Sequence, residues 1–284
     1  MFNRGGFCNY LSDKRIKWYY QRNGGAGAAR NMGIEQARGS YLYFCDPDDI
    51  VNPLFLEKLV MAAAKSCADV VVADYVEISE VDGSVCPRLN IMRLVRQFHR
   101  FILMPDDMLR PHVIGMIRGY LWNKLFKRSF VEEHRLRLLT CHRFEDVYFT
   151  YLSLIYSKKI ALLPFVGYGY YLGRKGSLMN SFEKNDNSLS YSYQEMLSRL
   201  NLDKLDGKFS DLIRSEFDRH NQSRGEIYCK NESVMSCPQV YESIVVHRVK
   251  MYGAKTVSLI KLLILMFQWK GFTVLHNRRM IAAN

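Results

Sequence analysis

The sequence predicts an α/β fold. Two observations carry that expectation. Between residues 16 and 76, short apolar strand patterns alternate with two amphipathic helical patterns, and the links between them are short. The composition is also globular: of 284 residues, 48% are hydrophobic and 24% charged. That length allows one large domain or a domain plus an appendage.

The elements follow in order. Residues 16–20 read as a short strand, broken by Asn23-Gly24-Gly25. Residues 27–38 are helical, because Ala29, Met32, Gly33 and Ala37 share one face. Gly39 stands where a left-handed cap would end that helix. Residues 41–45 form a nearly all-apolar run, as in a strand buried in a parallel sheet. Asn52 and Pro53 supply an N-cap and a first-turn proline for a helix to about residue 65. Residues 68–76 are the next strand, and parallel strands imply right-handed crossovers. Residues 80–120 read as irregular. A buried helix is expected over about 145–157, a strand over 160–166, and two polar-faced helices over 188–222.

Formal net charge is +12, but it is uneven. Residues 88–128 carry nine basic and two acidic side chains, and residues 244–284 carry seven basic and none acidic. Two local anion-facing surfaces fit this better than a uniformly basic nucleic-acid binder. The chain also lacks the interleaved basic and aromatic pattern of single-strand binding, so no nucleic-acid partner is expected. Seven cysteines are scattered without a CxxC pair, which argues for reduced thiols in a cytoplasmic setting. No apolar run reaches the roughly 18 residues of a spanning helix.

Asp46, Asp48 and Asp49 follow the strand at 41–45. In open α/β sheets ligands bind at the carboxyl ends of strands. Three carboxylates this close repel one another unless a cation sits among them. Mg²⁺ or Mn²⁺ suits such oxygens and would bridge them to substrate phosphates. The alternative is a solvated turn whose acids cap the next helix. Arg30 reads either as an anion ligand or as a solvent-facing helix arginine. Glu145 and Asp146 read either as a general base with its neighbour or as acids in a helix's first turn. Lys124 reads as an exposed lysine in preference to an anion ligand.

Four motifs then combine. The first runs Asn23-Gly24-Gly25-Ala26-Gly27-Ala28-Ala29-Arg30-Asn31-Met32-Gly33 and continues to Asp46-Pro47-Asp48-Asp49. The others are Trp122-Asn123-Lys124-Leu125-Phe126-Lys127-Arg128, then Phe144-Glu145-Asp146, and Tyr170-Tyr171 with Arg174-Lys175-Gly176-Ser177-Leu178. In this order they resemble the family 2 glycosyltransferases of the GT-A fold. The resemblance implies a nucleotide-diphospho-sugar transferase with a Rossmann-like sheet flanked by helices. Its activity would be inverting transfer of a sugar, of hexosyltransferase type, from a nucleotide-sugar donor to an acceptor hydroxyl. It further implies Asp46 and Asp48 as ligands of Mn²⁺ or Mg²⁺ and the donor, Arg30 near the nucleotide, and Asp146 as general base with Glu145 orienting. Arg174 and Ser177 would lie over the diphosphate.

The implied organisation is a catalytic domain over 14–180 and a helical C-terminal extension over 181–284. The resemblance starts near Lys14. The family's two N-terminal strands have no counterpart before it, so an N-terminally truncated domain of impaired activity is expected. The alternative reading is a non-catalytic remnant or membrane-surface scaffold of the same fold. Residues 257–267 are apolar apart from Ser258 and Lys261. As a helix they would extend roughly 16 Å against a hydrocarbon core of about 30 Å. With the surrounding lysines and arginines they suit an in-plane helix on an anionic membrane surface, or else a docked core helix. Peripheral attachment to the inner face of the cell membrane would fit a saccharide or lipid-linked acceptor and a role in cell-surface polysaccharide synthesis.

Overall fold

The computed structural model describes residues 15–230 apart from 89, 142 and 174–186. The basic tail at 244–284, and with it the apolar segment 257–267, lies outside the described residues, as do Arg174, Lys175 and Ser177.

In chain order the elements are α1 (Gly25–Gln36), β1 (Tyr41–Tyr43), β2 (Ile50–Val51), α2 (Phe55–Ser66), β3 (Val70–Ser79) and β4 (Val85–Arg88). They continue with α3 (Asn90–Phe98), β5 (Ile102–Leu103), α4 (Pro105–Met108), α5 (Pro111–Ile117), β6 (Lys124–Lys127) and α6 (Arg128–Glu133). The last are α7 (Glu145–Tyr156), β7 (Ile160–Leu172), α8 (Ser188–Leu202) and α9 (Asp206–Lys230).

β3 is the spine of the sheet. Val70, Val71, Val72 and Ala73 are all buried, because helices cover both faces. β7 runs parallel to β3 on one side. On the other side β6 pairs with the first half of β3 and β4 with the second, both antiparallel. β1 extends the sheet beyond β6, while β5 and β2 add to β7. One face packs Phe55, Leu59 and Ala63 of α2 against Val71, Ala73, Tyr75 and Tyr168. The other packs Val70, Val72 and Leu162 against α3, α5, α7 and α8.

The α/β class, the buried helix near 145–157 and the helices after 188 agree with the sequence. Several local expectations do not. Residues 16–20 form no strand, and Tyr20 is 90% exposed. β1 pairs antiparallel with β6, not within a parallel sheet. α1 ends at Gln36 through extended backbone at Ala37, so Gly39 supplies no left-handed cap. α2 starts at Phe55 because Asn52 forms a turn first, its Oδ1 accepting from the Leu54 N–H at 2.9 Å. Residues 80–120 contain β4, α3, β5, α4 and α5. The helical signal was present there, since Ile91, Leu94 and Val95 are buried at helical spacing. β7 also runs six residues beyond 166, through a bulge described below.

Candidate active site

The glycine-rich motif locks α1 onto the segment preceding α7. Gly25 has φ +83°, a conformation that glycine adopts without steric cost. A Cβ on Gly27 would lie 2.0 Å from the Leu139 carbonyl oxygen, so only glycine permits this approach. Asn31 exchanges two hydrogen bonds with the Leu138 backbone, both 2.8 Å. These contacts carry Arg30 to the first turn of α7.

There the Arg30 guanidinium spans two carboxylates. Nη1 donates to Glu145 Oε1 at 2.5 Å and Nη2 to Asp46 Oδ1 at 2.9 Å. Burial disfavours its charge, but Asp46, Glu145 and Asp146 outweigh that and raise its pKa. Glu145 is buried, and Asp146 beside it is half-buried. Asp146 Oδ1 accepts from the Val147 N–H at 2.9 Å. Burial, then the charge of Glu145, pushes the Asp146 carboxyl up to about 7, against the pull of Arg30. A carboxyl titrating near neutrality suits proton transfer.

The acidic loop leaves β1 opposite Arg30. Asp49 is committed to β7: its Oδ2 accepts from the Tyr168 hydroxyl at 2.7 Å and its Oδ1 from the Tyr171 N–H at 3.1 Å. Burial raises its pKa to about 6 despite those two bonds. The Asp46 N–H donates to the same Tyr168 hydroxyl at 3.3 Å. Asp46 gives one oxygen to Arg30, and Asp48 is exposed on the same turn. Among the described residues no group of three or more His, Cys, Asp or Glu side chains could alone hold a metal ion. Asp46 and Asp48 nonetheless fit Mg²⁺ or Mn²⁺, which take one or two carboxylates and complete their shell with water and substrate phosphates.

Behind the loop lies an aromatic stack. Trp122 stacks on Tyr168 with centroids 4.5 Å apart and on Tyr120 at 4.7 Å. Lys124 is fully buried, not exposed as its sequence context suggested. Its Nζ donates to the Tyr120 carbonyl at 2.6 Å and to Asn123 Oδ1 at 2.8 Å, with the Ile117 carbonyl at 3.4 Å. Burial pushes its pKa down to about 7, and Asp146 opposes that.

Arg30, Asp46, Glu145 and Asp146 thus meet, and Asp48 borders them. Arg174 and Ser177 fall outside the described residues. Sequence reading missed Asn31, Asp49 and Tyr168 as organising residues. The signal for Tyr168 was the Gly-Tyr-Gly-Tyr alternation at 167–170, which places both tyrosines on one face of a strand.

This mixed sheet, flanked by helices and carrying an acidic loop at a strand end, has the GT-A glycosyltransferase fold. It superposes on Staphylococcus aureus TarS, residues 1–349 in complex with UDP-GlcNAc, with a TM-score of 0.56 and 17% identity, over 78% of this chain and 59% of that one. Residues 6–133 match the model of Glycosyl transferase family 2. That match begins ahead of Lys14. The putative glycosyltransferase EpsH of Bacillus subtilis is 29% identical over 180 residues, covering 61% of this chain and 48% of EpsH. The succinoglycan biosynthesis protein ExoO of Rhizobium meliloti is 30% identical over 174 residues, covering 59% of this chain and 48% of ExoO. The chain therefore spans about half the length of these curated relatives.

Proposed function

We propose that the chain transfers a sugar from a nucleotide-diphospho-sugar to an acceptor hydroxyl, with inversion, during synthesis of a cell-surface polysaccharide. The observation that carries this is Arg30 held between Asp46 and Glu145, with Asp146 adjacent. A cationic fork and a near-neutral carboxyl share one site. The kinship with ExoO supports the polysaccharide setting, and the TarS complex with UDP-GlcNAc supports a nucleotide-sugar donor.

In the proposed reaction the acceptor oxygen bonds to the anomeric carbon as that carbon's bond to the diphosphate oxygen breaks. The acceptor proton passes to Asp146, and the nucleoside diphosphate leaves. Glu145 orients Asp146 and fixes Arg30, whose charge favours the anionic donor. Asp46 and Asp48 would hold a divalent cation, which when bound neutralises diphosphate charge. Arg174 and Ser177 are assigned to the diphosphate on sequence grounds. Residues 14–180 form the catalytic domain in this reading, and 181–284 a helical region whose basic tail meets an anionic membrane surface.

The test is nucleotide release from a panel of UDP-, GDP- and dTDP-sugars with Mn²⁺ or Mg²⁺. Cation-dependent release is expected, greatly reduced by Asp48→Ala. If no donor is bound or turned over, the proposal fails and the non-catalytic reading stands.

A further inference from the structure

The register of β7 against β3 slips twice. Ala73 faces Leu163, Asp74 faces Val166, and Tyr75 faces Tyr168. β7 thus fits extra residues into the span, among them Pro164, which has no N–H for a ladder. At Gly167 a Cβ would lie 1.9 Å from the Phe55 ring, and its carbonyl accepts from the Asn52 N–H at 2.8 Å. The bulge therefore sets which way Tyr168 points. Its ring lies flat on Trp122, with 9° between the planes, and is only 1% exposed.

Trp122 is itself immobilised. The neighbouring Asn123 takes the Ala73 N–H at 2.9 Å on its carbonyl and donates through Nδ2 to the Ala73 carbonyl at 2.8 Å. Lys124 holds the Asn123 side chain from behind. A rigid ring thus presents one buried hydroxyl, and that hydroxyl meets the acidic loop twice, at the Asp46 N–H and at Asp49 Oδ2.

We propose that Tyr168 is the positioning residue of the acidic loop: its hydroxyl, anchored through the Trp122 stack, fixes the turn that carries Asp46 and Asp48. Its catalytic consequence rests on the donor-site reading given above, whereas the tether itself does not.

The test compares the full chain with Tyr168→Phe, which keeps the ring and removes the hydroxyl. Hydrogen–deuterium exchange of the peptide covering residues 45–50 reports opening of the loop without any ligand. We expect about tenfold faster exchange, as for loss of a hydrogen bond to a charged group, while exchange in α7 stays unchanged. In turnover, KM for the donor and the Mn²⁺ requirement rise more than kcat falls. Asp49→Asn weakens the same tether from the loop side and serves if Tyr168→Phe folds poorly; it should accelerate exchange likewise. Unchanged exchange at 45–50 in both variants overturns the tether, whatever the chain binds. Accelerated exchange in a chain that binds no nucleotide sugar supports the tether and refutes the donor-site reading instead.

Discussion

Arg30 and Glu145 are 115 positions apart in sequence and meet at 2.5 Å. The contact joins α1 to α7, and the same guanidinium reaches on to Asp46. One side chain thereby links the first helix, the acidic loop and the helix that carries Asp146.

Arg30→Lys keeps the charge but loses the planar fork that serves two carboxylates at once. We expect a raised donor KM and a modest loss of stability. Arg30→Ala leaves Glu145 buried without its partner and should cost about 2 kcal/mol in urea unfolding. Equal urea midpoints for wild type and Arg30→Ala would contradict the linking role.

Asp146 gives the pH prediction. Its folded-state pKa is raised to about 7, and in the proposed reaction it must be ionised to accept the acceptor's proton. Turnover should therefore rise with pH through a midpoint near 7. Asp146→Asn should remove that limb and lower kcat by about 10²–10⁴-fold. Stability runs the other way. Between the unfolded value of about 4 and the folded value, the folded state binds more protons, so stability falls as pH rises across that window. The Asn variant should lose that fall.

Lys124 has the opposite linkage. Its folded pKa is lowered to about 7, whereas an unfolded lysine titrates near 10.4, roughly. The unfolded chain binds more protons in that interval, so this residue makes stability rise with pH from about 7 to about 10. Lys124→Met should flatten that rise in chemical denaturation across the range. It also leaves three oxygen acceptors without the ammonium, at a cost of about 1–3 kcal/mol.

Two glycines of α1 should respond in opposite directions to alanine. At Gly27 the new methyl collides with the Leu139 carbonyl, so α1 must shift, and a loss of about 1–3 kcal/mol follows. At Gly33 nothing lies within 4 Å, and Gly33→Ala should stabilise by about 0.5–1 kcal/mol. Thermal melts of the two variants check the sign of each.

The sequence was most legible where local chemistry decides. Helix periodicity located α1 and α7, and the motif order pointed to Arg30, Asp46, Glu145 and Asp146. Reading failed where distant partners decide. The run at 41–45 is apolar enough for either ladder direction, and only β6 makes it antiparallel. Lys124 looked exposed because its burial depends on carbonyls that a turn at 117–123 brings over it. Asp49 read as a third acid of the loop, yet both its oxygens are claimed by β7, about 120 positions later.

The surplus residues in β7 turn strand length into a phase. Successive side chains alternate sides, so removing one residue between Leu163 and Tyr168 would invert every side chain beyond the cut. Tyr168 would then turn away from Trp122, and Tyr170 would follow it. Spacing across this stretch accordingly matters more than the identity of the exposed Pro164, and loop engineering around the site is safest in pairs of residues.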